Sequence, residues 1–229
     1  MGYTLEELIE YVSPERYSKI SSVLENRTNH ISVVMENFYD PHNVSAVIRT
    51  CDAFGIQNAH VIELDNKFHV SKRVCRGTEN WVNIYKYQSS LEAIQNLKKT
   101  GYKVYFADPR QEYPMIEDLP LDDKAAIIFG QEKRGITDET KKYADGGFRI
   151  PIYGFVESFN VSVSCALSIY SLTSRLHQSG DRKYFLNETE KEKLLKHWLI
   201  KNTSIGNTLR KIGKEKEFLM SEPYLTNLR

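Results

Sequence analysis

The sequence predicts an α/β fold, in which helices flank a sheet of parallel strands. Along the middle of the chain, short apolar runs alternate with amphipathic stretches, and the runs are rich in β-branched or aromatic residues, as buried strands are. The chain is also long enough for this fold, because 229 residues with 41% hydrophobic content can bury one sizeable core. These observations argue against a disordered chain and leave room for short appendages.

Four apolar runs are predicted as the buried strands of this sheet. They occupy residues 31–35, 59–64, 103–107 and 125–129. Each has the length of a strand in a parallel sheet, both of whose faces are covered by helices. A weaker run that ends at residues 149–151 is predicted as a fifth strand.

Helices are predicted between these strands. After Asn43, apolar residues recur at the spacing of one helix face and Gly55 supplies a natural stop, so this segment is predicted as a helix capped at both ends. The other segments with a helical pattern are 91–99, 160–177 and the one that begins at Thr137.

The two ends of the chain differ from the middle in pattern. Residues 4–25 are predicted to form two short helices separated at Ser13-Pro14, and residues 188–200 and 208–219 to form further helices. We therefore expect three parts, with the flanks docked on the centre. They are an N-terminal helical extension (1–30), a central domain (31–178) and a basic helical C-terminal extension (179–229).

The sequence predicts a cytoplasmic protein without a metal. It contains no apolar run long enough to span a membrane and no charged-then-apolar leader at its start. The three cysteines, Cys51, Cys75 and Cys165, are too few and too far apart for a disulfide framework, and they lack metal-ligand spacing. We expect reduced thiols.

The net charge of +1 is unevenly distributed along the chain. Lys and Arg outnumber Asp and Glu after Gly180, and a second basic segment contains Lys72, Arg73 and Arg76. Such patches can bind phosphates, and aromatic residues near the second segment fit a nucleic-acid partner. Charge alone favours the other interpretation of that segment, an ordinary solvated loop.

Three polar clusters stand at the starts of predicted helices, where a buried core would need none. They are residues 43–50, with Asn43 and Arg49; residues 129–135; and residues 157–164, with Ser158 and Asn160. Three such junctions indicate one composite pocket.

The first two of these clusters also have a structural interpretation. Arg49 lies about 9 Å along the helix axis from Asn43, with no carboxylate between them, and is available to a phosphate. It could equally be a surface arginine behind an Asn43 N-cap, or it could pair with Asp52. Segment 130–135 can approach a ligand closely through its glycines or form a simple turn, and it matches neither a Walker loop nor a dinucleotide fingerprint.

Together the three clusters resemble the motifs of one family, the SpoU class of RNA 2′-O-ribose methyltransferases in the SPOUT superfamily. The first motif is similar to residues 36–50, the second to 129–135 and the third to 150–164. The resemblance implies that the central domain is a methyltransferase domain with a deep trefoil knot that holds S-adenosylmethionine. No local pattern predicts a knot.

The resemblance also implies roles for individual residues. Arg49 corresponds to a catalytic arginine that an RNA phosphate activates, with Asn43 helping to fix it. A guanidinium normally stays protonated, because its pKa is above about 12, and a protonated group cannot accept a proton. Arg49 could therefore stabilise the forming alkoxide while another group accepts the proton.

Other positions correspond to the pocket and to the RNA surface. Glu132, Ser158 and Asn160 would organise the pocket. The positions implied for cofactor binding are Ala107, Gly130, Ile150, Phe159 and Asn160, and a leucine is usual in place of Phe159. The resemblance favours RNA contact for Lys72, Arg73 and Arg76.

The flanks indicate the branch and the partners. The residues before Ile31 are too few for the globular RNA-binding domain of many relatives that act on ribosomal RNA. The basic tail after Gly180 resembles the TrmH branch, which methylates the D-loop guanosine of tRNA. A ribosomal RNA target and a non-catalytic RNA-binding relative stay open. The resemblance also implies a homodimer through the helix of the third motif, consistent with its small residues Ser162, Ser164, Ala166 and Ser168.

Overall fold

The computed structural model of the chain describes residues 4–202, which fall into two compact units. The larger unit comprises residues 29–184, and the smaller one combines residues 4–28 with 185–202. The boundaries predicted near residues 30 and 178 stay a prediction of where the domains begin and end.

The larger unit is built on one six-stranded sheet. Its strands are β1 (Ile31–Glu36), β2 (Asn58–Ile62), β3 (Asn83–Tyr87), β4 (Tyr102–Ala107), β5 (Lys124–Phe129) and β6 (Gly146–Phe148). All neighbouring strands are parallel, and their order is β3-β2-β1-β5-β4-β6. The α/β fold predicted from the sequence is confirmed, whereas the knot stays a prediction.

Burial explains which strands the sequence revealed. Every residue of the central strand β1 is buried, so the strand appears as a continuous apolar run. The edge strand β3 was not predicted, because it contains the polar residues Asn83 and Lys86 and only Tyr87 is buried. The other edge strand, β6, ends at Phe148, before the predicted end at 149–151. Its Gly-Gly sequence carries no strand signal.

Four of the five α-helices described in the larger unit lie close to their predicted positions. They are α3 (Pro41–Ala53), α4 (Lys72–Cys75), α5 (Ser90–Lys99), α6 (Asp138–Tyr143) and α7 (Val161–Ser179). The short helix α4 was not predicted. Gly55, with a φ of 75°, follows the end of α3 and confirms the predicted stop.

The start of α3 corrects the prediction that Asn43 caps it. The N-cap is Asp40, whose carboxylate accepts a hydrogen bond from the His42 N–H at 2.8 Å, and Pro41 occupies the first helical position. Asn43 therefore lies within the first turn. Its side chain is available for contacts outside the helix.

Helix α7 has one exposed apolar side. Val163, Leu167 and Tyr170 are 44%, 40% and 61% exposed, whereas Cys165 is fully buried. Ser168 is also fully buried within the unit. It therefore does not lie on the exposed side of α7, which the predicted dimer contact would use.

The smaller unit contains α1 (Leu5–Ile9), α2 (Pro14–Leu24) and α8 (Glu188–Asn202), as predicted. The Trp198 ring of α8 is buried, and the Arg27 guanidinium lies 5.1 Å from its centroid. The helix predicted over residues 208–219 lies outside the described residues. Among residues 4–202, no helix is both long and apolar enough to cross a membrane.

Candidate active site

The three polar clusters meet at one edge of the sheet. The first cluster follows β1, the second follows β5, and the third comes after β6. Because neighbouring strands in this sheet are parallel, their carboxyl ends lie at the same edge, where open α/β sheets bind ligands. The composite pocket expected from the sequence therefore has a structural basis.

A chain of hydrogen bonds joins the three clusters. The Asn43 Nδ2 donates to Glu132 Oε1 at 2.8 Å, and the Asn160 Nδ2 donates to Asn43 Oδ1 at 3.2 Å. The residues lie 89 and 117 positions apart in the sequence. Asn43 is thus held on both sides of its amide by side chains of the other two clusters.

Glu132 also holds the backbone that follows β1. Its carboxylate accepts the Tyr39 N–H at 3.2 Å and the Asp40 N–H at 3.4 Å. One carboxylate therefore fixes both the N-cap residue of α3 and the side chain of Asn43. This arrangement orients the start of α3 relative to the second cluster.

Asn160 caps α7 with the rest of its side chain. Its Oδ1 accepts hydrogen bonds from the Ser162 N–H at 2.9 Å and the Ser162 hydroxyl at 2.6 Å. Because Oδ1 is engaged with the helix, Nδ2 is directed towards Asn43. The polar residues at the start of α7 therefore serve both as a helix cap and as part of the site.

The second cluster forms a tight hairpin after β5. The Gly135 N–H donates to the Gln131 carbonyl at 2.8 Å, and Gly135 has a φ of 68°, which favours glycine. A Cβ on Gly130 would lie 2.2 Å from the Gly135 carbonyl carbon and 2.5 Å from the Ile136 nitrogen. Only glycine fits at position 130, and Glu132 is presented from this hairpin.

A cavity of about 530 Å³ lies beside the hairpin, within the size range of small-molecule sites. Its lining includes seven of the predicted site residues: Ala107, Gly130, Glu132, Ile150, Ser158, Phe159 and Asn160. The buried rings of Phe129 and Phe148 line it as well, with centroids 6.3 Å apart. Apolar walls with a few polar groups suit the adenosyl part of a cofactor such as S-adenosylmethionine.

The cavity wall also contains Asp108, which sequence reasoning missed. Two guanidinium nitrogens of Arg110 donate to its carboxylate at 3.0 and 3.1 Å. Burial is the largest single influence on the pKa of Asp108 and raises it, but the hydrogen bonds and charge of Arg110, together with the charge of Lys141, outweigh burial and hold this pKa below its usual value. Its position directly after β4 was a signal that could have revealed it.

Arg49 lies outside the cavity lining, on the exposed surface of α3. Its Nη1 donates to the Val74 carbonyl at 3.4 Å, which is long for a hydrogen bond. A guanidinium has five N–H donors, so Arg49 has donors left with which it could bind an anion.

The predicted RNA-binding segment packs against the same helix as Arg49. The Ser71 N–H donates to the Ser45 hydroxyl at 2.7 Å, which ties the start of the segment to α3. Arg73 and Arg76 are exposed, and Lys72 begins α4. The structure therefore brings this segment next to Arg49, although neither Arg73 nor Arg76 lines the cavity.

Nothing in the described part of the chain suggests a metal centre. Among residues 4–202, no group of three or more His, Cys, Asp or Glu side chains could hold a metal ion. The three cysteines are buried, and none of them forms a disulfide.

The chain matches one protein-family model. Residues 30–170 match the model described as the SpoU rRNA methylase family. This span is well over half of the chain and contains all three polar clusters and the residues that line the cavity.

The similarity to individual proteins extends over most of the chain. A tRNA (guanosine(18)-2'-O)-methyltransferase of Borreliella burgdorferi is 37% identical over 198 residues, which cover 85% of this chain and 90% of the relative. A protein of the same name from Thermus thermophilus is 32% identical over 188 residues, covering 81% and 96%. The crystal structure of a TrmH/SpoU tRNA modifying enzyme of A. aeolicus is similar with a TM-score of 0.74 at 27% identity, covering 81% and 95%.

Proposed function

Because this chain belongs to the SpoU methylase family, we propose that it transfers a methyl group from S-adenosylmethionine to a ribose 2′-hydroxyl of tRNA, at the D-loop guanosine. The observation that carries this proposal is the hydrogen-bond chain from Glu132 through Asn43 to Asn160, beside a cavity of suitable size. It joins all three motifs in the arrangement that a single reaction centre requires.

The choice of tRNA as the substrate rests on the relatives. Two proteins named for methylation of tRNA guanosine 18 are 37% and 32% identical to this chain and are matched over at least 90% of their own length. The family description refers to ribosomal RNA, so a ribosomal nucleotide is the alternative target. A non-catalytic RNA-binding relative is the other alternative. The intact set of catalytic candidates argues against it: Asn43, Arg49, Glu132, Ser158 and Asn160.

The cavity residues fit the cofactor. S-adenosylmethionine, when bound, supplies an electrophilic methyl group on a sulfonium centre. The aromatic wall of Phe129, Phe148 and Phe159 would accommodate an adenosyl group, and backbone groups at Gly130 and Ile150, which also line the cavity, would bind its polar edges. Phe129 and Phe148 are buried, so water is excluded from this side of the site.

Arg49 is the residue for which we propose the central catalytic role. A 2′-hydroxyl is a weak nucleophile, so the site must orient it and must remove its proton or stabilise the developing alkoxide. The Arg49 guanidinium can donate hydrogen bonds to the developing alkoxide, to a neighbouring RNA phosphate, or to both. Either role requires α3 to be held in place, which Glu132 achieves through Asn43 and the Asp40 N–H.

We also propose that two copies of the chain pair through α7. Val163, Leu167 and Tyr170 are exposed and spaced four and three residues apart, so they form one apolar stripe on the helix. Contiguous exposed apolar surface commonly marks an interface. Analytical ultracentrifugation tests the proposal: the chain is expected to sediment as a dimer, and Leu167→Glu as a monomer.

A cytoplasmic location belongs to the same proposal, because the tRNA substrate is there. It would be contradicted if a fluorescent fusion of the full chain localised to the cell envelope.

Methyl transfer to defined RNAs tests the function. Purified protein is incubated with labelled S-adenosylmethionine and with unmodified tRNA or fragments of ribosomal RNA, and the modified ribose is mapped. We expect label only in tRNA, at the D-loop guanosine. Label only in ribosomal RNA would establish the alternative target. A cofactor-dependent thermal shift without transfer to either RNA would favour the non-catalytic alternative.

A further inference from the structure

A second carboxylate, Glu36, connects the first and second motifs from inside the protein. It is the last residue of β1, and none of its surface is exposed. Its Oε1 accepts hydrogen bonds from the hydroxyls of Ser90 at 2.5 Å, of Thr137 at 2.9 Å, and of Thr140. Its Oε2 accepts the Thr137 N–H at 2.9 Å.

The carboxylate of Glu36 accepts four hydrogen bonds inside the protein. A buried carboxylate is costly unless donors satisfy it, and here donors from α5, from α6 and from the backbone before α6 converge on one group. Two of the four hydrogen bonds come from Thr137, the residue that caps α6. Glu36 therefore fixes the position of Thr137 in particular.

Thr137 follows the hairpin of the second motif almost directly. One residue, the buried Ile136, separates it from Gly135, and the close approach of Gly130 to Gly135 makes the base of the hairpin rigid. A displacement of Thr137 would move the hairpin. Glu132 is part of that hairpin, so its position depends on the contact between Glu36 and Thr137.

Glu36 and Glu132 thus form a reciprocal pair. Glu36 stands on the strand of the first motif and holds the segment that follows the second motif. Glu132 stands on the second motif and holds the loop that follows the strand of the first. Each motif is bound to the other by one buried and one exposed carboxylate.

We propose that Glu36 is a positioning residue for methyl transfer: acting through Thr137, it sets the hairpin so that Glu132 holds Asn43 and the start of α3 in the reactive arrangement. This inference rests on the proposed function. It assigns to Glu36 a role in turnover that differs from general stabilisation of the fold.

Replacement of Glu36 by Gln tests the role directly. The amide keeps the volume but presents N–H donors on one side, so in either orientation it loses part of the present set of hydrogen bonds. Because misplacement of a reactive group by about 1 Å can cost ~100-fold in rate, we expect kcat to fall roughly 10- to 100-fold. The KM values for S-adenosylmethionine and tRNA are expected to stay within about threefold, since Glu36 contacts neither the cavity nor the surface.

A matched pair of variants separates positioning from stability. Thr137→Val removes the hydroxyl contact next to the hairpin, and Ser90→Ala removes a hydroxyl contact to the same carboxylate oxygen from α5. Thr137→Val also removes the cap of α6, because the Thr140 N–H loses its acceptor, and loss of the cap by itself is expected to lower the stability of the variant but not its kcat. If Glu36 acts through the hairpin, Thr137→Val lowers kcat at least about tenfold while Ser90→Ala stays within about twofold of the wild type. Equal losses of kcat in the two variants would overturn the proposal. This pair also decides the matter if Glu36→Gln does not fold.

A double-mutant cycle with Glu132→Gln gives a further test. Groups that act as one unit are non-additive, so once Glu132 is replaced, Glu36→Gln is expected to have little further effect on kcat. Additive losses would show that Glu36 acts elsewhere and would overturn the proposal.

Hydrogen exchange provides a readout that does not depend on activity. The Tyr39 N–H is bonded to Glu132, so Glu36→Gln should speed its exchange at least about tenfold, while the Asn83 N–H, bonded to the Gln57 carbonyl, exchanges as in the wild type. Unchanged exchange at Tyr39 would overturn the proposal. If the wild type methylates neither RNA, the proposed function fails, but the exchange result still tells whether Glu36 positions Glu132.

Discussion

The two sides of the site are built in different ways. On one side, Asn43, Glu132 and Asn160 contact each other through side-chain amide and carboxylate groups. On the other side, Phe129 and Phe148 form a buried apolar wall against which a ligand can lie. We call the first side the polar junction, with Arg49 as its exposed neighbour on α3, and the second side the cavity wall.

The difference reflects what each side has to do. A reaction centre needs polar side chains that substrate can reach, whereas a cofactor wall needs shape and backbone groups. Changes in the polar junction should therefore affect kcat, and changes in the cavity wall should affect the affinity for S-adenosylmethionine. A variant that changes both kcat and this affinity would break the comparison, unless it moves the hairpin that carries both Gly130 and Glu132.

Arg49→Ala is expected to have the largest effect. Loss of a group that stabilises charge or assists proton transfer lowers kcat by roughly 10²- to 10⁴-fold. Calorimetric titration should show an unchanged Kd for S-adenosylmethionine, because Arg49 does not line the cavity. Arg49→Lys is the control: it keeps the charge without the planar fork and should restore only part of the rate. Undiminished turnover of Arg49→Ala would remove Arg49 from the mechanism.

Gly130→Ala should have the next largest effect, on the cavity wall. The new Cβ would lie 2.2 Å from backbone carbon of Gly135, so the hairpin must open, at a cost of about 1–3 kcal/mol. We expect the Kd for S-adenosylmethionine to rise roughly 10- to 100-fold, measured by calorimetry. Because the same hairpin presents Glu132, we expect kcat to fall as well. Gly154→Ala makes the same chemical change in open space and should bind as the wild type does. Equal Kd values for the two variants would contradict the close approach at Gly130.

Burial decided which strands of the fold could be predicted from the sequence. The buried strand β1 could be recognised because both of its faces are apolar, whereas the edge strand β3 is half-exposed and resembles a loop. The start of α3 was misplaced although the sequence contains a better signal, since Asp40-Pro41 combines a capping side chain with the residue most favoured at the first helical position.

The polar junction was visible in the sequence because polar residues at the start of an apolar helix are conspicuous. The hydrogen bonds of the polar junction could not be predicted, since the one from Asn43 to Glu132 joins residues 89 positions apart and depends on strand order. The apolar part of the wall gave no signal of its own, because Phe129 and Phe148 look like any core residue. The wall residues that were named, such as Phe159, came from a family resemblance.

Phe159→Leu tests the wall with a milder change. Leucine is usual at this position in the family, and the smaller side chain alters the apolar contact with the cofactor by about 1 kcal/mol. We expect the KM for S-adenosylmethionine to change about three- to tenfold, in either direction, with kcat within about twofold of the wild type. Steady-state kinetics at saturating tRNA measure both. A fall in kcat without a change in KM would place Phe159 in the polar junction.

Changes in the basic segment should have the smallest effect. They should alter the salt dependence of tRNA binding, but neither kcat nor the affinity for S-adenosylmethionine. If Arg73 and Arg76 contact tRNA phosphates, each replacement reduces the slope of log Kd for tRNA against log salt by about 1. Arg73→Ala is suitable for the first position. Arg76 has a φ of 49°, so Arg76→Asn, which tolerates this backbone conformation, is the better change.

The control for the salt experiment is Lys103→Ala. Lys103 is exposed on β4 near its amino end, whereas the active site lies at the carboxyl edge of the sheet, so its removal should leave the slope unchanged. Filter binding or fluorescence anisotropy over a range of salt concentrations gives the slopes. A flat salt response of the wild type, or equal slopes for the Arg73 and Lys103 variants, would show that the segment is the solvated loop that charge alone favours. The tRNA surface would then have to lie elsewhere on the chain.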